Sequence, residues 1–266
     1  MTTQLKSGNA APLHPRVFPL FYRNPVLVRY ETHRQNALKP GGDFRFSAGA
    51  NAVPLLVTEF AQAARHYPIV FTDAASPTTL AVLGLKENQN LFSGGNGSWR
   101  AGTYVPAYLR RYPFIVTDFG DRGGPLLAID AASERVTEIG AGADAEPLFD
   151  DRGDPSAVTA QAMAFCHAFH QDHLRDEGLG KALLDQGLLV ARHAAMQFPD
   201  NSRYTLNGFR VVDAEKFLAL SDADLLLDWH RRGWICAINL HLASINNWEN
   251  LLLLNAEANT AGQGAA

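Results

Sequence analysis

The chain has 266 residues, of which 47% are hydrophobic and 19% are charged, and its formal net charge is −4. A chain of this composition can bury a core, which excludes general disorder. Its slight negative charge gives no general attraction to nucleic acid, so no nucleic-acid partner is expected. Every window of about 18 residues contains polar or charged side chains, so no transmembrane segment is predicted.

The chain ends and the cysteines bear on the cellular compartment. Residues 1–15 lack the apolar block of a signal peptide and are predicted to be a disordered leader. The small, polar residues 255–266 are predicted to be a disordered tail. The two cysteines, Cys166 and Cys236, lie far apart and belong to no CxxC motif. This usage is typical of reduced, buried thiols, so a cytoplasmic location is expected.

Residues 16–150 carry mainly β-strand signals. Their short apolar runs are bounded by glycine, proline, asparagine or aspartate, which is typical of strands in a sheet. Asn96-Gly97 indicates a hairpin turn, because both residue types tolerate a positive φ. One helix is predicted over residues 53–64, where apolar residues recur at helical spacing. The predicted strands cover residues 26–30, 69–72, 80–85, 104–108, 114–117 and 126–129.

Residues 151–254 carry mainly helix signals. An aspartate-proline pair indicates the start of a helix over residues 155–174, which Gly178 and Gly180 are predicted to end. Because most strands precede the helices instead of alternating with them, the sequence predicts an α+β fold in a single compact domain, residues 16–254. The remaining predicted elements are a helix over 181–197, a strand over 204–212, short helices over 213–220 and 225–232, and an apolar segment over 234–254.

Residues 88–118 combine aromatic side chains with arginines. If residues 104–112 form one extended strand, the tyrosines share one face and most aliphatic side chains share the other. The aliphatic face is then expected to pack in the core, which leaves the tyrosine face at least partly accessible. Rings stack on flat groups and guanidinium groups form forked hydrogen bonds, so this face is a candidate binding surface. The alternative is that the block only packs the core. The candidate binding residues are Trp99, Arg100, Tyr104, Tyr108, Arg110, Arg111 and Tyr112.

A second candidate site is a histidine cluster in the predicted helix over 155–174. Side chains three residues apart are neighbours on a helix, so two of its histidines can share a metal ion. A metal-dependent enzyme with non-haem iron or zinc is therefore an alternative, with His230 or His241 as a distal ligand. The other interpretation is a polar helix face. The candidate metal ligands are His167, His170, Asp172 and His173.

Several segments resemble the bacterial SapC family. They are HYPIVF at 66–71, LAVLGL at 80–85, W-x4-YVPAYLRRYPFIV at 99–116, NGFRVVD at 207–213 and GWI at 233–235. The resemblance extends over nearly the whole chain, and the YVPAYLRRYPF segment is its most specific part. The histidine cluster is not part of the pattern.

The resemblance implies an accessory or binding protein. The expected partner is a protein, a peptide or a carbohydrate, and a link to outer-membrane glycan uptake or to halogenase-type modification systems is implied by association alone. No cofactor is predicted, and the sequence leaves open whether the protein is an enzyme. A surface-layer-associated structural protein is a further alternative, whereas a membrane permease of the same name does not fit a chain without a transmembrane segment.

Overall fold

The structure is a computed structural model that confirms the predicted α+β class. The predicted leader, residues 1–15, lies outside the described part of the chain. The structure describes residues 18–117, 125–141, 144–197 and 203–263, and for residues 193–197, 203–207 and 261–263 it describes the backbone only.

Most strands of the described residues precede the longest helix, and four helices follow it. The strands are β1 (Pro25–Leu27), β2 (Asn36–Leu38), β3 (Ala52–Pro54), β4 (Ile69–Thr72), β5 (Thr79–Val82), β6 (Phe114–Thr117), β7 (Leu126–Asp130), β8 (Val136–Glu138), β9 (Glu146–Pro147), β10 (Leu189–Gln197) and β11 (Arg203–Val212). The helices are α1 (Tyr30–His33), α2 (Phe60–Ala63), α3 (Ala107–Arg110), α4 (Ala157–Asp185), α5 (Ala214–Leu218), α6 (Ala223–Arg231), α7 (Trp234–Ser244) and α8 (Asn247–Gln263).

The described strands form three antiparallel sheets. The largest has five strands in the order β10-β11-β4-β5-β3. A second sheet has the order β1-β7-β6, in which Ile129 of β7 pairs with Val26 on one side and with Phe114 on the other. The third has the order β8-β2-β9. β7 is the central strand of the second sheet, and its last residue, Asp130, has none of its surface exposed.

The main hydrophobic core lies between the five-stranded sheet and the helices α2, α6, α7 and α8. Its fully buried members from these elements include Phe60, Phe71, Trp229, Ile238 and Leu251. Burial of large apolar side chains is the dominant stabilising contribution to folding. This core makes the five-stranded sheet a fixed base for the loops that precede and follow its strands.

A smaller cluster joins the second sheet to the long helix α4. Phe114 and Ile129 of the sheet pack with Leu148 and with Cys166 of α4. The second sheet is therefore held by α4, and the segments that enter and leave it are fixed relative to that helix.

Several sequence predictions are confirmed. β4 and β6 occupy the predicted residues, β7 is one residue longer, and β11 matches the predicted strand over 204–212 within one residue. α5 begins after Asp213, whose carboxylate accepts hydrogen bonds from the backbone N–H groups of Glu215 and Lys216, each at 3.2 Å. This is the arrangement of an aspartate at a helix N-terminus.

The turn predicted at Asn96-Gly97 is also present. Ser93 and Trp99 form an antiparallel bridge across it, and Gly97 has a φ of +84°. The backbone angle requires glycine, whereas the carboxylate of Asp43, 2.3 Å from where a Cβ atom would lie, belongs to a side chain that can shift. The carbonyl of Gly97 accepts a hydrogen bond of 2.8 Å from the N–H of Phe44. The turn is therefore fixed against the loop that precedes β3.

The two helices predicted over 155–174 and 181–197 are wrong as separate elements. One helix, α4, runs from Ala157 to Asp185, and β10 follows it from Leu189. Gly180 does not end the helix but allows it to pack closely on another segment, because a Cβ atom there would lie 1.9 Å from the carbonyl oxygen of Pro77. The glycines signal packing here and not termination.

The helix predicted over residues 53–64 begins later than expected. Val53 is a fully buried member of β3 and pairs with Ala81 of β5. A 3-10 turn over Val57–Glu59 follows, and only α2 is α-helical. β-branched residues favour strands, and the hydrogen bonds of the sheet override the helical spacing in this segment.

The tail predicted to be disordered after residue 254 is helical as far as Gln263, so that prediction is wrong for residues 255–263. Asn255 is fully buried, and its side-chain oxygen accepts a hydrogen bond of 3.0 Å from the side-chain amide of Gln89. The composition of the tail did not reveal this contact. The prediction of two buried thiols is also only half correct, because Cys166 is buried and Cys236 is exposed on α7.

Candidate ligand-binding cleft

The aromatic block over residues 104–112 does not form a strand. Pro106 precedes the helical turn α3, and its carbonyl oxygen accepts hydrogen bonds from the N–H groups of Leu109 and Arg110. The helical turn places successive side chains about 100° apart, so the alternation expected for a strand is lost. Tyr108 and Tyr112 expose only 6% and 4% of their surface. The prediction of an outward tyrosine face is therefore wrong.

Trp99 and Tyr104 lie partly buried beside the main core. The indole N–H of Trp99 donates a hydrogen bond of 3.2 Å to the hydroxyl of Tyr67, and that hydroxyl donates in turn to the carbonyl of Tyr104. Arg100 is exposed and forms an ion pair of 3.3 Å with Glu257. The contacts of Trp99 and Tyr104 hold the segment before α3 in place, while the Arg100 ion pair is at the surface, where such pairs contribute little.

A buried carboxylate, Glu59, anchors the same segment. It accepts hydrogen bonds from the N–H of Leu56 at 2.9 Å, from the N–H of Ala107 at 2.6 Å and from the hydroxyl of Tyr104 at 2.9 Å. Burial raises the pKa of Glu59, and these hydrogen bonds together with the nearby guanidinium of Arg110 oppose the shift. Glu59 is a structural anchor, and no local sequence pattern distinguishes it from other glutamates.

Arg110 and Arg111 make contacts with rings. Arg110 donates to the hydroxyl of Tyr104 at 2.9 Å and to the carbonyl of Val105 at 3.0 Å. The guanidinium of Arg111 lies over the rings of Tyr108 and Phe169, 4.1 and 4.4 Å from their centroids. These are cation–π contacts within the fold. Both arginines therefore connect α3 to neighbouring side chains.

A cleft of about 630 Å³ opens next to this block, and Tyr112 is the one predicted binding residue that lines it. Three chain segments form most of its surface: residues 21–23 before β1, residues 39–46 after β2, and residues 133–135 between β7 and β8. They meet because β1 pairs with β7 and β2 pairs with β8.

Aromatic side chains form one wall of the cleft. The rings of Phe46 and Tyr112 are stacked, with centroids 4.2 Å apart and planes inclined by 27°. Phe21 contacts Phe46 edge-on at 5.2 Å, and Tyr22 contacts Tyr112 edge-on at 5.4 Å. The hydroxyl of Tyr112 donates a hydrogen bond of 3.0 Å to Asp130. Ring contacts and this hydrogen bond fix the wall, so a ligand would meet a preformed surface.

Charged side chains line the rest of the cleft. Arg45 forms an ion pair with Asp43, and Glu134 is exposed at the cleft surface. Lys39 and Arg23 are exposed cations that also line the cleft. The described lining thus contains more cationic than anionic groups, although the whole chain is negatively charged.

Arg135 is the most enclosed cation of the cleft. It donates to the carbonyl of Tyr112 at 2.9 Å and to the carbonyl of Lys39 at 3.3 and 3.1 Å. No ion pair of Arg135 occurs in the part of the chain that the structure describes. Burial lowers the pKa of the Arg135 guanidinium from its ordinary value, since removal from water disfavours the charged form.

The candidate metal ligands do not converge. His167, His170 and Asp172 lie half-buried along α4, where Asp172 forms an ion pair of 3.0 Å with Arg175, and His173 is exposed. Within the described ranges there is no group of three or more His, Cys, Asp or Glu side chains that could hold a metal ion. The arrangement expected from the histidine cluster is thus not formed.

The distal histidines also lie in other surroundings. His241 is fully buried in α7, and its Nε2 accepts a hydrogen bond of 3.0 Å from the N–H of Val212. Burial lowers the pKa of His241 to about 4, so this ring is neutral at physiological pH. His230 is exposed on α6.

Asp176 of α4 gives a testable pH dependence. Its carboxylate accepts a hydrogen bond of 2.6 Å from the N–H of Val57, and burial raises its pKa from 3.8 to about 6. The folded state therefore binds this proton more tightly than the unfolded chain. The resulting stabilisation is fully present below about pH 4 and is lost as the pH rises through 6.

We expect Asp176→Asn to remove this pH-dependent loss of stability, because an amide does not titrate. Its oxygen can still accept the hydrogen bond from the N–H of Val57. Relative to wild type, the free energy of unfolding of the variant should rise by about 1 kcal/mol between pH 4 and pH 7, a value reduced for the partial exposure of the group. Urea titrations across that range measure the difference, with Asp151→Asn at an exposed turn as the control. A difference that stays constant with pH would contradict the assignment.

The fold and the cleft together define a class: an α+β protein with a preformed cleft that has an aromatic wall and a cationic lining. The chain belongs to the SapC family, whose model matches residues 28–251. Comparison with curated proteins and with solved structures gives no significant match. Among the helices of the described residues, none combines the length and the apolar character needed to cross a membrane.

Proposed function

We propose that this SapC-family chain is a binding protein that engages a protein or peptide partner by accepting one of its side chains in the cleft. The observation that carries the proposal is the cleft itself, whose volume of about 630 Å³ lies within the range of about 300–1,000 Å³ typical of ligand sites. The ring-stacked wall supplies an apolar contact, and the charged lining supplies orientation.

The composition of the lining favours a peptide over a carbohydrate. Sugar hydroxyls are bound by side chains that both donate and accept hydrogen bonds. No Asn or Gln is among the described residues lining the cleft, and its hydroxyls are engaged within the protein: Tyr22 donates to the carbonyl of Phe114, Tyr112 donates to Asp130, and Ser133 accepts from the N–H of Arg135. Aromatic rings beside arginines are typical of the anchor positions of protein interfaces. A peptide, which presents apolar and charged groups side by side, matches the cleft better.

The same lining favours binding over catalysis. No His or Cys is found among the described lining residues, and the hydroxyl of Ser133 accepts a hydrogen bond of 3.3 Å from the N–H of Arg135. A nucleophile paired with a base, the usual arrangement for acyl transfer, has no counterpart there. The proposal therefore assigns no reaction.

The cellular setting is part of the proposal. The two cysteines are unpaired, which supports a reducing, cytoplasmic compartment. Glycan-uptake and halogenase-type modification systems act on or transport other molecules. A role beside such systems is therefore consistent with a peptide-binding accessory protein.

Amide chemical shifts of the isotope-labelled full chain test the proposal. The probes are pools of N-acetylated tripeptides with free carboxyl ends, each pool with one fixed central residue. We expect at least one pool to shift the amide signals of residues 39–46 and 133–135. In Lys39→Trp, which places a bulky ring in the cleft, these shifts should be lost, whereas Arg231→Trp on α6 should behave as wild type. Shifts confined to other surfaces, or none at all, would overturn the proposal.

A further inference from the structure

We propose that Arg135 binds a carboxylate of the ligand, so that the cleft recognises a carboxylate attached to an apolar or aromatic body. This inference rests on the proposed function and specifies the ligand of the same site. The observation behind the inference is that the enclosed guanidinium of Arg135 lies beside the ring-stacked wall. In the described part of the chain, only carbonyl oxygens accept hydrogen bonds from this guanidinium.

The hydrogen bonds of Arg135 leave its charge without a counter-charge. A guanidinium has five N–H donors, and the carbonyls of Lys39 and Tyr112 engage one N–H on each of its three nitrogens. Carbonyl oxygens satisfy donors but do not neutralise a positive charge. Enclosing a cation without an anion is unfavourable. A carboxylate that reaches the remaining donors would provide the anion.

The neighbouring charges reinforce this field. Arg45 is already paired with Asp43, whereas Lys39 and Arg23 form no ion pair in the described ranges. The side chain of Arg23 donates to the carbonyl of Ala132, again a neutral oxygen. Cations that line one cleft attract an anion through their summed potential.

The cleft favours a single negative charge over a dianion such as phosphate. Asp43 and Glu134 also line it, and both would repel a second negative charge. The rings of Phe46 and Tyr112 lie on the same cleft surface, so the group that carries the acid contacts an apolar wall. A peptide supplies such a carboxylate either at its C-terminus or from an acidic side chain next to an aromatic residue.

Four small probes test the inference with the same amide-shift measurement. N-acetylphenylalanine carries the terminal carboxylate, N-acetylphenylalaninamide is its neutral counterpart, the blocked dipeptide N-acetyl-Phe-Glu-amide carries the side-chain carboxylate, and phenyl phosphate carries a dianion. We expect at least one of the two carboxylates to bind about tenfold more tightly than the neutral amide, as for a hydrogen-bonded charge pair. Which of them binds identifies the source of the carboxylate.

Two surface variants keep the test independent of folding. Lys39→Glu should weaken carboxylate binding about fivefold, because it makes the potential at Arg135 less positive. Glu134→Gln should strengthen carboxylate binding about twofold, because it makes that potential more positive. Each should change the affinity for the two carboxylates more than the affinity for the neutral amide, because the amide carries no charge. Arg231→Glu on α6 is the matched charge reversal outside the cleft and should leave all affinities unchanged.

The outcomes separate this inference from the proposed function. If the neutral amide binds in the cleft as tightly as the carboxylates, the binding role stands and the carboxylate assignment is overturned. Tighter binding of phenyl phosphate would also overturn it, in favour of a phosphorylated ligand. If none of the four probes shifts the cleft signals while a tripeptide pool does, the carboxylate assignment falls alone. If the tripeptide pools fail as well, both proposals fall.

Discussion

Replacing Gly180 by alanine is expected to lower the free energy of unfolding by about 3 kcal/mol or more. A Cβ atom at this position would lie 1.9 Å from the carbonyl oxygen of Pro77 and 2.8 Å from its carbonyl carbon. Both are backbone atoms of the segment that leads into β5, so relief requires α4 to move away from the five-stranded sheet. The helical preference of alanine over glycine, about 1 kcal/mol, does not offset a clash of this size.

Gly178 provides the matched control on the same helix. A Cβ atom there would lie 3.1 Å from the ring of Trp234, a side chain that can shift by a few tenths of an ångström. Gly178→Ala should therefore change the free energy of unfolding by less than about 1 kcal/mol. Chemical denaturation followed by circular dichroism measures both variants. Equal stabilities would show that the close approach at Gly180 does not hold α4 in place.

These two glycines also show where the sequence analysis could not succeed. A glycine after an apolar helical pattern is a common sign of a helix end, and two of them close together strengthened that prediction. In the structure the requirement is a tertiary one, because Gly180 packs against Pro77, far away in sequence. Local patterns carry no information about which distant segment approaches a helix.

The error over residues 104–112 has a related cause. The alternation of tyrosines with smaller residues indicated a strand, but the test of alternation assumes that the chain is extended. Pro106 instead precedes a helical turn whose hydrogen bonds are local. The same sequence did reveal strands such as β4 and β6, because their apolar runs are bounded by turn residues.

The cleft could be predicted only at Tyr112, which belongs to the conspicuous aromatic block. Arg135 stands in an ordinary polar sequence between two strands, and nothing local distinguishes it. It becomes a candidate only when strand pairing brings residues 21–23 and 39–46 beside it. Family resemblance and fold class can be predicted from patterns along the chain. The residues of this site, in contrast, come together only through the pairing of distant strands.

Replacing Asp130 by alanine is expected to lower the free energy of unfolding by about 4 kcal/mol. The carboxylate is fully buried and accepts four hydrogen bonds. Its donors are the N–H groups of Arg23 at 3.2 Å, Asn24 at 2.7 Å and Ala132 at 3.2 Å, and the hydroxyl of Tyr112 at 3.0 Å. Without the carboxylate the buried hydroxyl of Tyr112 and three partly buried N–H groups lose their acceptor together, which costs more than the bonds themselves contribute.

Asp150→Ala is the control that isolates burial as the cause. Asp150 also accepts hydrogen bonds from two backbone N–H groups, those of Arg152 and Asp154, each at 2.9 Å, but it is exposed. Water replaces the lost acceptor there, so we expect a loss of less than about 1 kcal/mol. Equal losses for the two variants would contradict this account.

The position of Asp130 connects stability to the cleft. It fixes the ring of Tyr112 on one side and the backbone of Arg23 on the other, and both residues line the cleft. Tyr112→Phe removes only one of the four donors and keeps the stacked ring, so it should cost about 1 kcal/mol and weaken ligand binding less than Asp130→Ala does. Asp130→Ala should instead weaken ligand binding even where the protein remains folded, because the aromatic wall and the first segment of the cleft lose their common anchor.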